Sequence, residues 1–174
     1  MPAPGRRDVE ERCLMGLNEL SGVLWRERQL LELLLFKLEE EQLILTSGRT
    51  QWLGHATREV ESVLDQIRVV ELGRSVEADG AALELGLEPG CGLLAMAERA
   101  HSPWGELLRD HHAAFVDLTD QINQLAQSNK ELLSSSHRAT QETLMSLQDT
   151  VRTYDVHGEA SGASGSVQLL DRAL

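Results

Sequence analysis

From Leu118 to Tyr154 apolar or small residues recur at alternating steps of four and three, with hardly a helix breaker among them. The seam reads Leu118, Ile122, Leu125, Asn129, Leu132 and Ser136, takes an extra step of four to Thr140, and continues through Leu144, Leu147, Val151 and Tyr154. Such spacing keeps one narrow stripe on one side of a helix, and the inserted step is a stutter that turns the stripe slightly. A second seam occupies the first quarter of the chain at Leu17, Ser21, Leu24, Arg28, Leu31, Leu35, Leu38 and Leu45, and a weaker third runs through Ala56, Val60, Val63, Ile67 and Val70. The pattern predicts three long helices made to lie against one another.

Breakers set the boundaries. Residues 1–7 carry Pro, Ala, Gly and Arg without periodicity and read as a flexible leader, with Asp8 placed as cap or first-turn acid of a helix over 8–46. At 1.5 Å per residue that helix would be roughly 60 Å long. Ser47-Gly48 closes it, and a second helix over 49–87 follows so soon that the two must run antiparallel. This second helix weakens near Gly73 and Gly80, regains apolar residues at Leu83–Leu87, and is stopped by Glu88-Pro89-Gly90. A short helix over 91–100 ends at His101-Ser102-Pro103, and the last helix, over 103–154, would span roughly 70–75 Å. The fold class is all-α: an elongated antiparallel helical bundle of three long helices plus one short one, forming a single domain over 8–157. Residues 158–174 read as a flexible tail. It opens with GEASGASG, too poor in apolar surface to offset its ordering entropy, and closes with VQLLDRAL, amphipathic but too short to be a stable helix alone.

Composition narrows the function classes. Aromatics make up only 3% of 174 residues, and Leu, Glu, Gln, Ala and Arg fill the periodic segments, which favours helix over strand. The net charge of −12 argues against duplex nucleic acid or an anionic membrane surface as main partner, because both would repel the chain. Leu30–Phe36, the longest apolar run, is interrupted by Glu32 and is too short to span a bilayer, and Met1–Asp8 lacks a signal-peptide core, so a cytoplasmic location is expected. Cys13 and Cys91 lie far apart without a CxxC pair and read as buried free thiols of a reducing compartment.

Catalytic constellations are missing. His111-His112 are adjacent, about 100° apart on a helix, and cannot jointly hold one metal. Glu98-Arg99-Ala100-His101 matches the E-x-x-H of di-iron bundles, but no second copy exists. Glu39-Glu40-Glu41 fan around a helix and read as a solvated face, and Ser134-Ser135-Ser136 before His137 has no acid at triad spacing. Trp25, Trp52 and Trp104, one per long helix, read as core anchors. No catalytic residue, cofactor or metal is expected. What remains is surface: a long stripe with Asn129, Ser136 and Thr140 where an optimised core would place Leu. Polar steps of that kind either fix register or mark a stripe that is not permanently buried.

Three stretches resemble the FlgN-type flagellar type III export chaperones, in the form found in high-GC Gram-positive bacteria. They are LWRERQLLELLLFKLEEEQLILTSGRTQWLGHATREVESVLDQIR, with Leu35, Leu38, Glu39, Glu40, Gln42 and Leu45 before the Ser47-Gly48-Arg49 turn; Leu83-Glu84-Leu85-Gly86-Leu87 with its Pro-Gly break; and the last helix, with Asn123, Asn129, Leu132, Leu133, Thr143, Leu144 and Leu147, closing at Tyr154-Asp155 and Gly158. The resemblance covers roughly residues 12–158. It implies a small acidic cytoplasmic chaperone without catalytic activity that binds the hook-filament junction proteins FlgK and FlgL before secretion and delivers them to the export apparatus. It also implies an amphipathic docking strip in the C-terminal helix, here Leu125, Leu132, Leu133, Leu144, Leu147 and Val151, with Asn129, Ser136 and Thr140 as polar steps that favour release.

The residues leave a second reading open, a scaffold that homodimerises through the same seam with Asn129 paired across the axis. A metal-binding four-helix bundle is a third reading and lacks its ligands. Scaffold and chaperone differ in when the seam is buried, constitutively in one and only when loaded in the other.

Overall fold

The computed structural model describes the backbone of residues 6–152 and the side chains of residues 15–147. The expectations for residues 1–5, for the Cys13 thiol, for the Val151 side chain, for Tyr154 and for the tail after Gly158 lie outside the described residues. Among the described residues there are four helices, α1 (Arg6–Thr46), α2 (Leu53–Glu84), α3 (Leu93–Arg99) and α4 (Trp104–Arg152), with a 3-10 turn at Thr50–Trp52 before α2. The class is all-α, and no strand occurs among the described residues. The chain divides into two compact units, Met1–Lys130 and Glu131–Leu174.

Local chemistry explains the ends. The last carbonyls of α1 accept bonds from the hydroxyls of Thr46 and Ser47, 2.9 Å from Thr46 Oγ1 to Gln42 O and 3.1 Å from Ser47 Oγ to Ile44 O. Gly48 then takes φ +69°, the left-handed conformation that costs glycine least. α2 stops earlier than the Glu88-Pro89-Gly90 break suggests. Gly86 at φ +70° lets its own N–H reach Leu83 O at 3.1 Å and the Leu87 N–H reach Ala82 O at 2.8 Å, a Schellman motif that closes the helix at Glu84. Leu87 packs into the core beside this cap, the apolar contact that fixes such an end. The expected weakening at Gly73 and Gly80 does not occur: α2 runs unbroken through both. Neither glycine has an atom within 4 Å of where a Cβ would sit, so each costs about 1 kcal/mol of helix propensity while Val70, Ala81 and Ala82 hold the opposite side in the core.

The core of the first unit has two parts. Leu17, Leu20 and Leu24 of α1 meet Ala81 and Ala82 of α2, Met96 and Ala97 of α3, and Leu108 of α4. Leu34 and Leu38 of α1 meet Val60, Val63 and Ile67 of α2, with Ile122 and Leu125 of α4 packed alongside. All five positions of the α2 seam are buried. The α1 seam is broader than a single stripe: Leu20 and Leu34 are buried, whereas Leu31, Leu35 and Leu45 are only partly so. The reason is geometric, since α1 must face α2 and α4 at once and needs a wider apolar arc than two helices in register. α3 and α4 also approach closely: a Cβ on Gly105 would lie 2.7 Å from the Ala97 carbonyl oxygen.

The tryptophans are not the anchors expected of them. Trp25 is 46% exposed and Trp52 57% exposed, and only Trp104 packs beside the core. The buried hydrophobic residues are aliphatic side chains and Met96, while Trp25 lies edge-on to His111 at 4.9 Å and carries Arg28 on its face.

Candidate docking face on the last helix

α4 is built from two stretches of contrasting burial. Between Trp104 and Lys130 its seam belongs to the first unit: Leu108, His111 and Leu118 are buried, and Ile122 and Leu125 pack against the second core cluster. Asn129, 5% exposed, ends this stretch. Its amide Nδ2 donates to Leu38 O at 2.9 Å and to Glu41 Oε2 at 3.3 Å, while Thr57 Oγ1 donates to Glu41 Oε1 at 2.8 Å. One turn along α1, Gln42 Nε2 donates to Ser128 Oγ at 3.1 Å. Glu41 thus ties α1, α2 and α4 together, which corrects the reading of Glu39-Glu40-Glu41 as a purely solvated face. Glu39 fits that reading and Glu40 binds Lys37 at 2.7 Å. Sequence reasoning missed Glu41 because its partners lie 16 and 88 positions away. Asn129→Ala removes two bonds and should cost about 1–2 kcal/mol of stability, read as a lower urea midpoint.

In the second unit the same seam changes character. From Glu131 to Leu147 only Leu132 is less than exposed. Leu133, Leu144, Met145 and Leu147 are 49–65% open to solvent. Ser136 and Thr140 lie between the two apolar groups and are exposed as well. The hydroxyls there turn inward: Ser135 Oγ donates to Leu132 O, Thr140 Oγ1 to Ser136 O and Thr143 Oγ1 to Ala139 O, each at 2.9 Å. The expected strip therefore splits. Leu125 and Asn129 are engaged within the first unit, whereas Leu132, Leu133, Ser136, Thr140, Leu144 and Leu147 form the accessible part.

Ionisable groups in the first unit brace the hairpin. Lys37 holds Glu40 and Glu59 at 2.7 Å each, and His55 reaches Glu59 at 3.1 Å. The bonds to Glu40 and then Glu59 raise the Lys37 pKa, and the Lys37 bond lowers that of Glu59. Glu27 is buried and its pKa is raised by desolvation, partly offset by Arg74 at 2.8 Å and reinforced by Glu71. Burial also lowers the pKa of His111, with Arg28 adding to the effect and Asp110 opposing it. Neither ring nitrogen of His111 has a hydrogen-bond partner among the described residues, and the ring stacks 6.0 Å from Phe115.

That burial sets a pH dependence. The unfolded chain binds a proton at His111 more readily than the fold does, so the contribution is intact above the ordinary histidine value of about 6.5 and is lost as pH falls below it. Thermal unfolding between pH 7.5 and 5.5 should show a smaller loss of Tm in His111→Phe than in wild type, and the difference between the two isolates this residue from Glu27.

No group of three or more His, Cys, Asp or Glu among the described residues is placed to hold a metal ion. Cys91 is a free, half-buried thiol. Among the described residues no helix is long and apolar enough to cross a membrane. What the surface of the second unit offers chemically is association: apolar side chains along one helix face, spaced by small polar ones. The family model described as "FlgN protein" matches residues 15–162. No curated protein and no solved structure matches the chain.

Proposed function

The chain belongs to the FlgN protein family, a family of flagellar export chaperones rather than enzymes, and from that premise we propose that it binds the hook-filament junction proteins FlgK and FlgL in the cytoplasm through the α4 strip and passes them to the export apparatus. One observation carries the strip: Leu133, Leu144, Met145 and Leu147 stay open on the very helix whose earlier seam is buried. An amphipathic helix of an unassembled client would lay its apolar face along these positions in helix-to-helix register. The docking residues are Leu132, Leu133, Leu144, Leu147 and Val151. Ser136 and Thr140 sit between them and hold the affinity low enough for release, while Leu125 and Asn129 anchor the helix that presents the strip. A titration of the full chain with each purified junction protein tests this. Saturable binding of at least one is the expected result, and binding of neither removes the proposal.

The scaffold reading, which needs Asn129 paired with Asn129 of a second copy, is disfavoured by a specific contact. The Asn129 amide is already spent on Leu38 O and Glu41 within one chain.

A further inference from the structure

We infer that the outer face of α2 is a second docking surface, and that its partner is an amphipathic helix carrying Lys or Arg beside its apolar side chains. The inference uses none of the α4 positions and stands whether or not they bind the junction proteins. Positions 69, 73, 76, 80 and 83 step by four and three, the spacing of a helix-packing seam. They hold Val69, Gly73, Val76, Gly80 and Leu83, with Leu72 beside them. The seam turns away from the hairpin: Ile67, Val70, Ala81 and Ala82 of the same helix are buried, whereas Val69, Leu72 and Val76 are 70–73% exposed and Leu83 is 62% exposed. The first three are more open than any apolar side chain of the α4 strip, which reaches 65%.

The two glycines point the same way. Glycine is the poorest helix former after proline, yet α2 keeps both at interior positions where, among the described residues, no atom lies within 4 Å of a Cβ position. Packing within the fold therefore gives no reason for their small size. In a seam, glycine lets the backbone of a second helix come close, and Leu72, Val76 and Leu83 then supply the apolar contact around it.

Charge selects the occupant. From Ser75 to Glu98 the chain has Glu77, Asp79, Glu84, Glu88 and Glu98 and no Lys or Arg. The nearest bases along α2 are already matched, Arg74 by Glu27 at 2.8 Å and Arg68 by Asp65 at 2.6 Å. A second copy would bring the same carboxylates to the same seam, in a chain of net −12. A helix with basic residues flanking its apolar stripe meets them with opposite charge. Val69 to Leu83 spans about 21 Å, so about four turns of such a helix cover the face.

The test adds to the full chain a synthetic amphipathic helix of about 18 residues, with Leu on one face and Lys at its flanks, and separately its counterpart in which every Lys is Glu. Affinity is read from the slowing of amide hydrogen exchange at 69–84. The Lys peptide should protect this stretch saturably and less so as salt rises, and the Glu peptide should leave it unprotected. Leu72→Ser with Val76→Ser should weaken the Lys peptide by about tenfold or more. Gly73→Gln with Gly80→Gln should weaken it by a similar factor without lowering Tm, because glutamine is the better helix former and has open space there. Glu77→Gln with Glu84→Gln should cost about threefold and flatten the salt dependence. No protection at 69–84, equal protection by the two peptides, or protection indifferent to Leu72→Ser with Val76→Ser overturns the inference. Protection that needs no peptide and grows with protein concentration would make a second copy the occupant, and overturns it too. None of these results touches the α4 strip, whose own test uses the junction proteins.

Discussion

A Leu132→Asp, Leu144→Asp double variant should keep its helix content by circular dichroism and lose junction-protein affinity on the order of 100-fold or more. Each leucine contributes about 1.5–3 kcal/mol when its side chain is removed from water, and a carboxylate in the same place also demands hydration that a client helix would strip away. The fold has little stake in either position: Leu144 is 54% exposed and neither residue belongs to the core clusters of the first unit. Co-purification of wild type and variant with FlgK and FlgL reads the effect. Equal capture by both would place the docking face elsewhere.

Leu24→Ala makes the opposite demand, a large loss of stability from a residue that no client touches. Leu24 is fully buried, between the helices of the first core cluster where α1, α2, α3 and α4 converge. Truncation removes the transfer energy of the lost carbons and leaves a cavity that four helices cannot easily close, so the cost should be about 3 kcal/mol. For a chain of this size that corresponds to roughly 6–12 °C in Tm. At a temperature where the variant remains folded, client affinity should be unchanged. A Tm within 2 °C of wild type, well short of that shift, would mean that the four-helix junction collapses around the missing side chain.

Much of the fold was legible because it is written in periodicity. The α2 seam Ala56, Val60, Val63, Ile67 and Val70 is read directly from steps of three and four, and all five are buried. The α1 seam was less so: period alone does not reveal that one helix serves two neighbours, and Leu20 and Leu34 entered the core on that account. The end of α2 was misplaced because Pro and Gly draw the eye to Glu88-Pro89-Gly90, while the Schellman closure at Gly86 depends on bonds back to Leu83 and Ala82. The polar step at Asn129 is visible in the sequence, but its partners, Leu38 O and Glu41, are set by tertiary register and carry no local signal. Size misled at Trp25 and Trp52, where bulk suggested the interior and both side chains are exposed.

Hydrogen exchange of α4 with and without a bound junction protein tests the central claim most directly, because it reports when the strip is covered and by what. Added client should slow exchange across 132–147 by tenfold or more, as expected for backbone covered by a bound partner, while exchange at 108–129, already packed against the hairpin, stays the same. Slow exchange across 132–147 in the free protein that client leaves untouched would contradict the account and return the helix to a permanently buried, structural role.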